Sequence, residues 1–188
     1  MALVVVIVAG ALVAVLAAAG EGGSETDRRR PAGTGSRAVF VGDGPATVGG
    51  TAPDFALPGL DGGRVSLSAY AGVPVIVNFW ASWCNPCRKE FPLLQAARRA
   101  YADAGLEVIG VSYEDIASDA RAFAEAQDAN WPLARDPGGA LAAAYGVRAI
   151  PQTFFIDADG TIVSRVFGIT SARDLEAEIR KIVITRRH

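Results

Sequence analysis

Apolar positions from residue 51 onward alternate between runs of strand length and longer segments with helical spacing. Strand-like runs cover residues 52–58, 64–67, 75–80, 106–112, 153–156 and 161–167, and residues 131–135 form a further short strand or extended link. Helical spacing covers residues 85–104, 116–129, 138–145 and 172–184, with one helical turn at 68–72. Strands that alternate with helices in this way predict an α/β domain over residues 51–188.

The strand-like runs also predict how the strands pair. Residues 75–80 are apolar almost throughout, which suits a central strand covered on both faces. Residues 106–112 follow after a helical crossover long enough to place them parallel to it. Turn signals at 61–63 and 157–160 join neighbouring strands antiparallel. We therefore expect a mixed central sheet flanked by helices, preceded by a β-hairpin.

Three of the predicted helices have an apolar face at helical spacing, which we expect to lie inward. Pro92 is expected to bend the first of them, and Ser171 to cap the last. The inward residues are Phe91, Leu94, Ala97, Ala100 and Tyr101 in the first helix, Ala120, Phe123, Ala124 and Gln127 in the second, and Leu175, Ile179 and Ile182 in the last.

The first 50 residues differ in character from the rest. Residues 2–19 carry no charge and are almost entirely Ala, Val, Leu and Ile, so residues 1–20 are predicted to form a hydrophobic helix that is a transmembrane anchor or a signal segment. We expect a single-pass anchor in the cell membrane with the folded domain on the extracytoplasmic side, and secretion after signal cleavage is the alternative. Residues 21–50 are rich in Gly, Ser, Thr, Arg and Pro, which predicts a flexible linker.

Composition narrows the classes of function. The 188-residue chain has a net charge of −2 with acidic and basic residues interspersed, which gives no basis for binding nucleic acid. It contains two cysteines, too few for a scaffold held together by disulfides. The stability of the folded domain must therefore come from its hydrophobic core.

The two cysteines, Cys84 and Cys87, are separated by two residues at the predicted strand-to-helix junction. A structural zinc site needs about four Cys or His ligands, and the only further candidate is His188, so no metal is expected. Covalent haem attachment needs His after the second cysteine, where this chain has Arg88. A purely structural disulfide across so short a loop restricts the unfolded chain little. Redox use of the pair is the favoured interpretation.

Helix geometry assigns a role to each thiol. A cysteine at a helix N-terminus faces unpaired amides and the positive end of the helix dipole, which favour its thiolate. Cys84 is expected to be the exposed nucleophile. Cys87, one turn later, is expected to be the resolving thiol that closes the Cys84–Cys87 disulfide.

A resemblance to a known family is carried by residues 78–92 (NFWASWCNPCRKEFP) and residues 150–157 (IPQTFFID). These segments resemble the TlpA/ResA-like branch of the thioredoxin superfamily, with a redoxin or AhpC/TSA-type domain. The resemblance implies a thioredoxin fold with an N-terminal β-hairpin extension. It also implies a membrane-tethered or secreted thiol-disulfide oxidoreductase that uses its redox-active disulfide and no further cofactor.

The same resemblance implies roles for residues around the dithiol. Glu90 matches an acid that lies beside the active-site thiols of ResA-like proteins, which implies proton handling, and Asn78 stands where thioredoxin itself has a buried acid. Pro151 is implied to follow a cis peptide bond, and it leaves the backbone of Ile150 free to pair with a substrate strand. Trp83 is expected to form an apolar docking surface next to the cysteines.

The expected function is reduction of protein disulfides outside the cytoplasm, because the Asn-Pro pair between the cysteines resembles the reducing members of the superfamily. The family implies apocytochrome c as a partner and a membrane protein as electron donor. An oxidase of the same fold and a peroxidase of the peroxiredoxin type are alternatives, as is a non-catalytic peptide-binding domain. Against the peroxidase, Ala81 stands where that class has Thr or Ser.

Overall fold

The computed structural model describes residues 39–41, 45–168 and 171–183, and the predicted N-terminal hydrophobic helix and most of the predicted linker lie outside them. The strands are β1 (Val39–Val41), β2 (Asp54–Pro58), β3 (Arg64–Ser66), β4 (Val75–Trp80), β5 (Glu107–Tyr113), β6 (Leu133–Asp136), β7 (Gln152–Ile156) and β8 (Ile162–Phe167). The helices are α1 (Asn85–Ala100), α2 (Ala117–Ala126), α3 (Ala140–Ala144) and α4 (Ala172–Val183), with short 3-10 helices at Ser68–Tyr70 and Ala102–Ala104.

A five-stranded mixed sheet forms the centre of the domain, with its strands in the order β6-β5-β4-β7-β8. β4, β5 and β6 run parallel, with α1 and α2 as the crossovers between them. β7 is antiparallel to β4, and β8 is antiparallel to β7 across the turn at 157–160. All six residues of β4 are buried, as its apolar run predicts. The predicted mixed central sheet is confirmed.

The predicted N-terminal hairpin is present, but it belongs to a three-stranded sheet in the order β1-β2-β3. β2 and β3 pair antiparallel across a turn in which Gly62 adopts a φ of 89° that glycine tolerates well. β1 pairs with the other edge of β2, although residues 39–41 are predicted from the sequence to be part of the flexible linker.

Residues just before the predicted domain boundary also belong to the fold. The Ala46 N–H donates to the Ala144 carbonyl, and the Gly49 N–H donates to the Ile162 carbonyl. The predicted linker therefore extends too far toward the C-terminus. The physical reason is that a three-residue strand is stabilised by pairing with a partner distant in sequence, which local composition does not reveal.

The central sheet separates two hydrophobic cores. Along β4, Val75, Val77 and Phe79 face one core, whereas Ile76 and Trp80 face the other, as the two-residue period of a strand requires. Side chains of β2, β3 and α3 complete the first core. Side chains of α1, α2 and α4 complete the second, which also contains both cysteines.

Among the helices, α1 and α2 end several residues before their predicted boundaries. α1 ends at Ala100 because Tyr101 leaves helical geometry, and the following 3-10 helix ends at Gly105 with a φ of 73°. Ala100 is consequently exposed and not inward. α2 ends at Ala126, and Asp128 just beyond it has a φ of 49°.

The last helix matches its predicted face, with Leu175, Ile179 and Ile182 buried. Its predicted cap is also present, since Ser171 Oγ accepts a hydrogen bond from the Asp174 N–H at 3.2 Å. Within the described ranges, no helix combines the length and the apolar character needed to cross a membrane.

Candidate active site

Cys84 is the N-cap residue of α1 and directly follows the turn that leaves β4. Its Sγ accepts a hydrogen bond from the Cys87 N–H at 3.2 Å, so the sulfur lies at the unpaired amides of the helix N-terminus. Pro86 fits the first turn of the helix, where a missing N–H costs nothing. Cys84 and Cys87 form a disulfide with a Cα–Cα distance of 5.3 Å.

Both cysteines are buried in this disulfide form. Cys84 is 4% exposed and Cys87 is fully buried. Cys84 is expected from the sequence to be the exposed thiol, and the structure corrects this expectation, because the residue is covered within the second core. Cys84 is nevertheless the more accessible of the two, and its position at the helix mouth is the one expected for a nucleophile.

Asp115 fixes the turn that precedes Cys84. Its two carboxylate oxygens accept from the Ser82 N–H at 2.6 Å and from Ser82 Oγ at 2.7 Å, and one of them also accepts from the Ile116 N–H at 2.8 Å. From the sequence alone, residues 113–115 are interpreted as a plain loop rather than as part of the approach to the sulfurs. The position of Asp115 just past the C-terminal end of a parallel strand next to β4 is the signal that points to it, since such loops commonly form sites in α/β sheets.

Trp83 is 59% exposed beside Cys84, and its Nε1–H donates to the Glu114 carbonyl at 3.1 Å. The ring is therefore held by the same loop that carries Asp115, with much of its surface open to solvent. Trp80 is fully buried and packs against Phe91 and Phe123.

The loop before β7 brings a proline to this end of the sheet. The Ile150–Pro151 peptide bond is cis, as the family resemblance implies, and the Pro151 carbonyl accepts from the Gly168 N–H at 2.9 Å. Ile150 is half-buried and contacts both hydrophobic cores. Its backbone N–H and C=O have no hydrogen-bond partner among the described residues.

Glu90 is fully buried one helical turn beyond Cys87. Its carboxyl oxygens accept from Asn78 Nδ2 and from Thr153 Oγ1, each at 3.1 Å. Burial raises the pKa of Glu90 to about 7, although the hydrogen bonds from Thr153 and Asn78 act in the opposite direction. Near this pKa, a carboxyl group can both take up and release a proton at physiological pH.

Thr153 is a further residue of the site, in addition to those predicted from the sequence. It is buried on β7 directly opposite Asn78 of β4, and it reaches Glu90 because the two strands pair in that register. The register depends on strand pairing distant in sequence, so no local pattern points to it.

The basic residues after the dithiol face away from the buried acid. Arg88 is exposed and its guanidinium lies 4.8 Å from the centre of the Phe123 ring, while Lys89 is also exposed. Among the residues that the structure describes, no three His, Cys, Asp or Glu side chains lie close enough to bind a metal ion. The site thus combines three features: the Cys84–Cys87 pair, the buried Glu90 with a pKa of about 7, and the unpaired backbone groups of Ile150. This combination suits exchange between thiols and disulfides.

Comparison with known proteins gives a consistent result. Residues 48–165 match the AhpC/TSA family. The chain is 33% identical over 135 residues to the thiol-disulfide oxidoreductase ResA of Bacillus thuringiensis subsp. konkukian, which covers 72% of this chain and 78% of that protein. Its identity to ResA of Bacillus subtilis is 34% over 131 residues, covering 70% of this chain and 73% of that one.

The fold has close counterparts among solved structures. A crystal structure from Chlorobium tepidum, assigned as a thiol:disulfide interchange protein DsbE, superposes with a TM-score of 0.69 at 36% sequence identity. The superposition covers 73% of this chain and 99% of that one.

Proposed function

Because this chain belongs to the AhpC/TSA family, as a TlpA/ResA-like member of the thioredoxin superfamily, we propose that it reduces protein disulfides on the extracytoplasmic side of a cell membrane. It is a protein thiol-disulfide oxidoreductase, whose substrates are protein thiols and disulfides. The direction of electron flow, the location and the individual partners are the proposed part.

One arrangement carries the proposal. The Cys84–Cys87 pair lies at the N-terminus of α1, where the helix amides stabilise a thiolate once the disulfide is reduced. The residue sequence between the cysteines, Asn-Pro, resembles that of the reducing members of the superfamily. A thiolate at this position is suited to attack an incoming disulfide.

In the proposed reaction, the Cys84 thiolate attacks one sulfur of a substrate disulfide, which forms a mixed disulfide and releases the first substrate thiolate. Cys87 gives its proton to the Glu90 carboxylate and attacks the Cys84 sulfur. This step breaks the mixed disulfide and releases the second substrate thiolate. Both substrate thiolates take up protons, two electrons leave the protein dithiol, and the Cys84–Cys87 disulfide seen here is the product.

The surface around the dithiol suits an extended substrate segment. The unpaired N–H and C=O of Ile150 can form backbone hydrogen bonds with it, in the manner of strand addition. Trp83 supplies exposed apolar surface on one side of Cys84. Phe167, 58% exposed and opposite Gln152 at the end of β8, supplies it on the side of Pro151.

Return to the dithiol form needs a reductant, for which we propose a dithiol protein of the membrane. Apocytochrome c is the proposed substrate, on the basis of the ResA-like resemblance. The membrane location is supported by the uncharged apolar run at residues 2–19. With such an anchor, the dithiol would be held close to a membrane donor.

Trapping of partners tests the proposal. Cys87→Ser leaves a nucleophile without a resolving thiol, so we expect it to accumulate mixed disulfides through Cys84 that dithiothreitol releases. Cys84→Ser is the matched control and is expected to trap little. Trapping by Cys84→Ser to the same extent would contradict the assigned roles. Peroxide consumption at a rate unaffected by Cys87→Ser would indicate the peroxidase alternative.

The reduction potential tests the direction. Equilibration of the purified protein with dithiothreitol or glutathione buffers is expected to give a value nearer the about −270 mV of thioredoxin than the about −120 mV of DsbA. A potential close to that of DsbA would indicate an oxidase of the same fold.

A further inference from the structure

Three buried polar side chains from three different elements form a closed triangle of hydrogen bonds. They are Asn78 of β4, Glu90 of α1 and Thr153 of β7, and none is more than 1% exposed. Asn78 Nδ2 donates to Glu90 Oε2 at 3.1 Å and to Thr153 Oγ1 at 2.9 Å. Thr153 Oγ1 donates to Glu90 Oε1 at 3.1 Å.

The donors of this triangle are fully used. The amide has two N–H groups and the hydroxyl has one, and all three point to acceptors within the triangle. Both oxygens of Glu90 accept a hydrogen bond, which is the arrangement that an ionised carboxylate requires. The single group left over is Asn78 Oδ1, which is buried and has no hydrogen-bond partner among the described residues.

We propose that Asn78 and Thr153 are positioning residues that favour the ionised form of Glu90 and so control when it can take the proton of Cys87. Each of them donates to a different carboxylate oxygen, and both hydrogen bonds are to the form that carries no proton. The inference rests on the proposed function only in giving Glu90 that proton.

Asn78 and Thr153 are the groups that counteract the effect of burial on the pKa of Glu90. Besides Asn78 and Thr153, the core residues that β4, β7 and α4 contribute here include the apolar Ile76, Phe155, Leu175 and Ile179. The partly buried acid of α4, Glu178, is hydrogen-bonded to Ser164 and Lys181. The titratable groups nearby on α1 are Cys84 and Cys87, joined as a disulfide, and the exposed Arg88 and Lys89.

Burial and hydrogen bonding act in opposite directions on the pKa of Glu90 and together keep it near physiological pH. Burial raises the pKa of Glu90 to about 7, and the hydrogen bonds from Thr153 and Asn78 keep it from rising further. A proton acceptor is most effective when its pKa lies near the working pH. Loss of either donor should therefore move Glu90 out of this range.

The test compares Thr153→Val, which removes the hydroxyl at nearly constant volume, with Thr153→Ser, which keeps it. In the oxidised full-length protein, ¹³C NMR of labelled Glu side chains follows the titration of Glu90, and Glu90→Gln identifies its signal. Thr153→Val is expected to raise the proton affinity of Glu90 by about tenfold or more, since a hydrogen bond to a charged group is lost. Thr153→Ser is expected to titrate like the wild type.

The pH profile of mixed-disulfide resolution provides a second readout. Thr153→Val should shift this profile to higher pH, because Glu90 remains protonated and cannot accept the Cys87 proton, whereas Thr153→Ser should not shift it. Asn78→Ala, which removes the other donor, is expected to raise the proton affinity of Glu90 in the same direction. It keeps the test open if Thr153→Val does not fold.

The outcomes separate this inference from the proposed function. Titration of Glu90 at the wild-type pH in both Thr153→Val and Asn78→Ala overturns the inference, whatever the activity of the protein. Wild-type rates of disulfide exchange in Glu90→Gln at every pH would instead overturn the proton-accepting role in the proposed function. The NMR titration midpoints would remain a valid test of the hydrogen-bonded triangle in that case.

Discussion

Replacing Glu90 with Gln is expected to remove a pH dependence from the stability of the oxidised protein. In the folded state, burial raises the pKa of Glu90 from its usual 4.5 to about 7. The unfolded chain exposes the same group to water, where its pKa returns to the ordinary value. The folded protein therefore binds the proton more tightly than the unfolded chain does.

The sign of the effect follows from this difference. Because the folded-state pKa is raised, the stability contributed by the protonated carboxyl is fully present below about pH 4.5. It is lost as the pH rises through about 7, where ionised Glu90 must remain buried. One pKa unit corresponds to about 1.4 kcal/mol, so the loss amounts to roughly 3 kcal/mol across this window.

Urea unfolding of the oxidised protein at several pH values between about 4.5 and 8 measures this loss. We expect the free energy of unfolding of the wild type to fall by roughly 3 kcal/mol relative to that of Glu90→Gln over this interval. Glu125→Gln, at an exposed position of α2, is the matched control and should follow the wild type. Parallel curves for the wild type and Glu90→Gln would refute the reasoning.

Three further substitutions probe the surroundings of the site. Asp115→Ala leaves the Ser82 N–H and hydroxyl without their acceptor, so denaturant unfolding should show a loss of about 1–2 kcal/mol, and the reduced dithiol should react more slowly with a disulfide probe. Trp83→Ala should raise KM for a protein substrate while changing the unfolding free energy by less than about 0.5 kcal/mol, because the ring is largely exposed. Tyr145→Phe leaves the Pro53 carbonyl unpaired in the first core, so urea unfolding should show a loss of about 1–2 kcal/mol. The rate of thiol-disulfide exchange should not change, because the cysteines lie in the second core.

Most of the fold could be predicted because its elements have strong local signals. The apolar run of β4, the turn at Asp61-Gly62-Gly63 and the apolar face of α4 each determine their structure through nearby residues. Helix ends were less predictable. α1 stops at Ala100 because Tyr101 leaves helical geometry, with a φ of −111° and a ψ of 19°, although the apolar spacing continues.

Features that depend on contacts between distant parts of the chain could not be predicted from local sequence patterns. β1 becomes a strand only by pairing with β2. Asp115 reaches Ser82 because two parallel strands end side by side, and Thr153 reaches Glu90 through its register opposite Asn78. The dithiol itself was predictable from sequence because its two cysteines, its helix and the motif around them are contiguous.

The most direct test of the account is the pH dependence of Cys84 alkylation in the reduced protein. Cys84 is the N-cap residue of α1, where the helix amides favour its thiolate. We therefore expect the alkylation rate to reach half of its maximum at a pH well below about 8.5, the pKa of a free cysteine. Cys87, fully buried one turn later, should be alkylated much more slowly. A half-maximal rate for Cys84 at or above about 8.5 would contradict the claim that the fold activates this thiol as the nucleophile.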